Sequence, residues 1–132
     1  MVNKSSIVLG TWSWGTGMAG GDQVFGNHLG EKELRPVFEE AMKNGLNLWD
    51  SAVVYGMGSS ETLLSTFTRE YPRDEVFIST KFTPQIADNQ SGNPVAKMLE
   101  GSLERFERIM SISTGFIIRL MWNAGLLSLP RW

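Results

Sequence analysis

The 132-residue chain has no cysteine, which excludes disulfides and thiolate metal sites. It has one histidine, His28, and shows no cluster of side chains spaced to hold a metal. Basic residues are not in excess: 12 Lys and Arg stand against 14 Asp and Glu, for a net charge of −2. That balance supplies no clustered basic surface, so no nucleic-acid partner is expected. No stretch approaches the roughly 18 apolar residues of a membrane span. Met1 to Ser6 also lacks the apolar core of a secretory signal. The resulting expectation is a soluble, cytoplasmic protein with no membrane or nucleic-acid partner. What remains is 42% apolar and 20% charged, a composition able to bury the core of one ordinary domain.

Apolar runs alternate in type along the chain. Ile7 to Gly10 reads as a short buried strand closed by glycine. Residues 11–30 read as a long loop, and half of the 14 glycines fall between Gly10 and Gly30; loops of this length inside a domain usually carry function. Glu31 to Lys43 reads as a helix with Leu34, Val37, Phe38, Ala41 and Met42 on one face. Its first turn is acidic, and Gly45 stands where a C-terminal cap belongs. Leu46 to Asp50 reads as a second strand, and Ser60 with Glu61 opens a second helix that ends before Pro72. Val76 to Thr80 is apolar and β-branched enough for a doubly covered parallel strand. A polar loop from Pro84 to Asn93 leads to a third helix, Pro94 to Arg105, with Val95, Met98, Leu99, Leu103 and Phe106 as its stripe. Three consecutive βα units predict a parallel α/β fold.

Three polar residues fall where such a fold gathers its chemistry. Asp50 ends the second strand, Tyr55 lies in the loop after it, and Lys81 follows the third strand. In a parallel α/β barrel the C-terminal ends of the strands open on one face, so these residues can meet there. A free phenol, with a pKa near about 10, donates poorly at neutral pH. A neighbouring ammonium favours the phenolate, and an aspartate would hold that ammonium charged and in place. Such a trio suits proton donation to an oxygen that is becoming an alkoxide. Taken singly, each has an ordinary reading: a turn cap, an amphipathic loop aromatic and a solvent-facing lysine.

The segment Leu46 to Glu61, with Asp50-Ser51-Ala52, Tyr55-Gly56 and Ser60-Glu61 in order, resembles the aldo-keto reductase signature. Leu9-Gly10-Thr11-Trp12 resembles that family's first strand and cofactor-side loop, and Ile78-Ser79-Thr80-Lys81 the strand that delivers its lysine. The resemblance covers residues 7–106. It implies a (β/α)8 TIM barrel, of which this chain carries the first three βα units. It further implies Tyr55 as general acid, Lys81 as the residue that tunes it, Asp50 as the anchor of Lys81, and Gly10, Thr11 and Trp12 beside the cofactor. The implied reaction is reduction of a small-molecule aldehyde or ketone by a nicotinamide cofactor, usually NADPH. The family's histidine follows its fourth strand, so His28 does not correspond to it. The alternative is a non-catalytic fragment, or a binding or assembly piece.

Two features stand apart. Gly15-Thr16-Gly17-Met18-Ala19-Gly20 matches the dinucleotide fingerprint GxGxxG, but the next helix is expected only near Glu31, which removes the phosphate-cradling mechanism. Residues 107–132 have no acidic residue beyond Glu107 and no clear strand or helix period. Ile118, Met121, Trp122 and Leu126 could share a helical face, but Gly125 and Pro130 interrupt it. The domain reading is therefore a barrel-like part, 1–106, and an atypical tail, 107–132. The genetic code suggests that the tail is the fourth-strand region read in a shifted frame after loss of one nucleotide near the codon for Phe106. Restoring that base lets Phe116 and Ile117 yield a histidine codon where the family's histidine belongs. Met121 and Trp122 have one codon each and force a valine and a glutamate in the restored frame.

Overall fold

Strands and helices alternate as the apolar pattern predicts. A computed structural model describes residues 3–81, 93–107 and 117–118. The elements are β1 (Val8–Gly10), α1 (Gly21–Phe25), α2 (Glu31–Lys43), β2 (Leu48–Asp50), α3 (Ser59–Thr68), β3 (Phe77–Thr80), α4 (Pro94–Phe106) and β4 (Ile117–Ile118). A short 3-10 turn, Tyr55–Gly58, leads into α3. The strands form one sheet in the order β1-β2-β3-β4, all parallel. This is the partial α/β arrangement expected of the first units of a barrel.

The core lies between one face of the sheet and the helices. The 3.6-residue period of α2 turns Leu34, Phe38 and Ala41 inward. Phe38 stacks on Trp49 of β2 at 4.7 Å and lies 5.3 Å from the Phe67 ring of α3. Trp14, Leu64, Val76, Ile78 and Phe106 complete the cluster. Glu33 accepts a hydrogen bond from the Gly30 amide at 3.0 Å, and Gly45 takes a left-handed φ of 74° after the end of α2. Arg35 joins Glu31 (2.6 Å) to Glu70 beyond α3 (2.8 Å). All three side chains are solvent-accessible, so the tie fixes geometry more than it stabilises.

Several expectations need correction. The first loop contains α1, whose five residues are too few for a periodic signal. β1 is less buried than expected: Ile7 and Val8 are both more than half exposed. It is an edge strand, and nothing among the described residues covers the outer side of Val8. Val37 is 55% exposed although it shares the apolar stripe of α2; the stripe is wider than the face the sheet can cover. β3 is buried on one side only, with Ile78 and Thr80 inside and Phe77 and Ser79 half-buried. Three strands were expected, yet Ile117–Ile118 pairs with β3 as a fourth. A two-residue strand offers no alternation to read. The loop at 84–92 and the proposed helical face at Met121, Trp122 and Leu126 lie outside the described residues, as does nearly all of the tail. Among the described residues no helix is long and apolar enough to cross a membrane.

Candidate active site

Parallel register brings the strand ends level. Gly10 pairs with Asp50, and Asp50 with Ser79. The ladder continues past the strands: the amides of Thr11, Ser51 and Val53 donate to the carbonyls of Asp50 (2.9 Å), Ser79 (2.8 Å) and Lys81 (2.9 Å). The loop after β2 is thus fastened to the exit of β3, and side chains from both emerge on one edge.

There the structure brings Asp50, Tyr55 and Lys81 together. The Lys81 Nζ donates to Asp50 Oδ2 at 2.5 Å and to the Ser51 carbonyl at 3.0 Å. It also lies 4.9 Å from the centre of the Tyr55 ring. Burial pushes the ammonium's pKa down, but the hydrogen bond to Asp50 and the charge of that carboxylate outweigh it, so the net shift is upward. Lys81 is therefore a cation at neutral pH. Trp12 stacks on Tyr55 at 6.0 Å with 21° between the planes, and Phe25 of α1 meets Trp12 edge-on at 5.2 Å. These rings form an apolar wall beside the polar trio.

The three residues expected at the cofactor differ in kind. Gly10 and Trp12 are exposed. Thr11 is fully buried: its hydroxyl donates to the Asp50 carbonyl at 3.2 Å and accepts from Ser60 Oγ at 2.9 Å. Its side chain is committed to the protein interior, so it serves this edge as a brace.

Backbone strain marks the Tyr55 turn. Gly56, Met57 and Gly58 all have positive φ, at 61°, 49° and 95°. A Cβ on Gly56 would meet Ser59 Oγ at 2.1 Å and the Thr16 carbonyl at 2.5 Å, and one on Gly58 would meet the Arg105 side chain at 2.7 Å. The left-handed turn points Tyr55 back across Lys81 before α3 begins.

Ser59, Ser60 and Glu61 read in the sequence as a helix start, but the structure uses them differently. α3 begins one residue earlier than expected and has no side-chain cap. Ser59 Oγ instead accepts from the Thr16 amide at 2.8 Å and donates to the Thr16 carbonyl at 2.9 Å. Ser60 holds Thr11. Glu61, fully buried, accepts from Thr80 Oγ1 (2.5 Å), Ser102 Oγ (2.9 Å) and Arg105 Nε (2.5 Å). The signal available in sequence was a hydroxyl and an acid ahead of an apolar run, which capping explains equally well.

A helix does open on the glycine fingerprint, since α1 starts at Gly21, but it has five residues. The Gly17 amide already donates to the Asp22 carboxylate at 3.0 and 3.2 Å, so a side-chain anion occupies the position a phosphate would need. His28 is exposed in the first loop. An apolar surface groove lined by Pro36, Val37, Glu40, Ala41, Asn44 and Leu46 involves no residue of the site. Among the described residues no group of three or more His, Cys, Asp or Glu could hold a metal.

The chain is similar to known proteins over the same elements. An aldo-keto reductase of Gibberella moniliformis is 36% identical over 97 residues, covering 69% of this chain and 29% of that protein. The chloroplastic pyridoxal reductase of Arabidopsis thaliana is 37% identical over 90 residues, covering 61% and 24%. The crystal structure of a thermostable aldo-keto reductase bound to the inhibitor epalrestat superposes with a TM-score of 0.58 at 26% identity, over 76% of this chain and 34% of that one. The chain thus spans about a third or less of the length of these relatives. The model of the Aldo/keto reductase family matches residues 6–111. That stretch runs from before β1 to beyond α4, and on it the chain belongs to the aldo/keto reductase family.

Proposed function

We propose that these residues form the proton-donating part of a carbonyl reductase that uses a nicotinamide cofactor, with NADPH the expected form. The observation that carries the reading is Lys81 Nζ, held by Asp50 and set against Tyr55, at the C-terminal edge of a parallel sheet. When bound, the cofactor supplies hydride to the carbonyl carbon. Tyr55 gives its phenolic proton to the carbonyl oxygen as that oxygen gains charge. The Lys81 ammonium stabilises the phenolate left behind, and Asp50 keeps Lys81 charged and oriented. Two electrons and two hydrogens, one as hydride and one as proton, convert the aldehyde or ketone to an alcohol.

The residues present fit only the reacting end of such a cofactor. Gly10 and Trp12 are both exposed, and the Trp12 ring stacks on Tyr55, an apolar surface suited to a flat ring. The Gly17 amide of the fingerprint is already taken by Asp22.

The test is a chimera in which residues 6–106 replace the matching segment of the Gibberella moniliformis protein. NADPH oxidation with an aromatic aldehyde should be measurable, and Tyr55→Phe should lower kcat by roughly 10²–10⁴-fold. A chimera that turns over equally well with Phe at position 55 would remove the general-acid assignment.

A further inference from the structure

We infer that Glu61 is a positioning residue for Lys81, and that the first turn of α3 sets the spacing of the Asp50–Lys81 pair from behind. The inference rests on the proposed Tyr55–Lys81–Asp50 chemistry and adds to it a residue that touches none of those three side chains.

Asp50 and Lys81 are 31 positions apart and leave from different strands. Each is backed by one member of a single dipeptide. On the Asp50 side, Ser60 Oγ donates to the Thr11 carbonyl at 2.8 Å and lies 3.4 Å from Ser51 Oγ, while Thr11 holds the Asp50 carbonyl through its amide and hydroxyl. On the Lys81 side, Glu61 accepts from Thr80 Oγ1 at 2.5 Å. Thr80 is 2% exposed and immediately precedes Lys81. Side chains alternate along a strand, so holding Thr80 against the helix layer turns the next residue toward the site.

The cost of this arrangement argues that it does more than fill space. A buried carboxylate carries a large desolvation penalty, and a well-packed apolar side chain often serves stability as well or better. Here the charge is met by Arg105 of α4, whose own side chain is 27% exposed, and by two hydroxyls. Arg105 reaches Glu61 across Gly58, where a Cβ would strike its Cδ. The Tyr55 turn, the exit of β3 and α4 therefore converge on one carboxylate.

Lys81 can be read without turnover. In the 132-residue chain, a limiting pulse of acetic anhydride at pH 8, followed by peptide mass spectrometry, compares Lys81 with the exposed Lys4 and Lys32. Hydrogen bonds to Asp50 and the Ser51 carbonyl hold the Lys81 ammonium charged and part-buried, so it should acetylate several-fold more slowly than Lys32. Asp50→Asn should abolish most of that protection. Thr80→Val and Glu61→Gln should each raise Lys81 labelling several-fold toward the Asp50→Asn level, while Thr80→Ser, which keeps the hydroxyl, should restore protection. Amide exchange of β2 in the same samples should stay unchanged, which a general loosening of the fold would not allow. Protection that survives Thr80→Val but is lost in Asp50→Asn overturns the role of Glu61 and leaves the catalytic pair standing. Protection that survives Asp50→Asn overturns the pair itself and the inference with it.

Discussion

Lys81 Nζ lies 2.5 Å from Asp50 Oδ2 while both side chains remain about a quarter exposed, at 20% and 31%. Partial solvation limits the pair to roughly 1 kcal/mol of stability. Its sign with pH follows from the upward shift of Lys81. A group whose folded-state pKa is raised contributes fully below its unfolded value, about 10.5, and loses that contribution as pH rises through the folded value. The difference in urea unfolding free energy between the native chain and Lys81→Met should be flat from pH 6 to 9. It should shrink above about pH 10.5. A difference that falls between pH 6 and 8 would contradict the assigned charge state.

Met57 is 47% exposed and sits at φ 49° between two left-handed glycines. A side chain there strains the backbone by about 1–2 kcal/mol and buries little in return. Met57→Asn should raise the unfolding free energy by about 0.5–1 kcal/mol. Denaturant titration measures it; a loss of stability would mean that Met57 packs in a way its exposure does not show.

Trp49 is 1% exposed, and its indole Nε1 has no hydrogen-bond partner among the described residues. An unsatisfied buried donor costs about 1–3 kcal/mol, which offsets part of what the large ring gains by packing. Trp49→Phe should therefore change stability by less than about 1.5 kcal/mol. Phe38→Ala, which empties the ring stack on Trp49, should cost about 3–5 kcal/mol. Equal losses in the two variants would show that the indole N–H is satisfied in solution.

The 132-residue chain alone should bind NADPH weakly and reduce no aldehyde at a useful rate. It spans about a third or less of its relatives, and β1 leaves Ile7 and Val8 exposed along an edge, a known route to association. Tight, stoichiometric binding by isothermal titration calorimetry would reverse this expectation.

The tail yields the most direct prediction. The family match ends at residue 111, and residues 108–132 carry no acidic residue. Restoring one base near the codon for Glu107 should open a frame that passes through a histidine codon at Phe116–Ile117 and continues into further βα units. Sequencing the gene decides it: a stop codon before that histidine would end the proposal. The repaired, longer product should gain NADPH-dependent reduction that depends on Tyr55.

By itself the sequence determined the order and type of β1, α2, β2, α3, β3 and α4, because periodicity and β-branched runs are local properties; α1 and β4 were too short to carry either signal. It placed α2 to the residue and each of the three strands within two residues, and motif order pointed to Asp50, Tyr55 and Lys81. Tertiary structure alone decided which polar residues serve each other. Ser60 and Glu61 look like a helix cap until the sheet puts Thr11 on one side of them and Thr80, Ser102 and Arg105 on the other. Exposure of Val8 and Val37 was likewise set by which surfaces found a neighbour. The resemblance placed Thr11 on the cofactor side, and the parallel register that pairs Gly10 with Asp50 also lets its hydroxyl reach the Asp50 carbonyl and Ser60. A residue's type fixes what it can bond to, but the partner depends on distances between segments tens of residues apart, and those exist only once the sheet has formed.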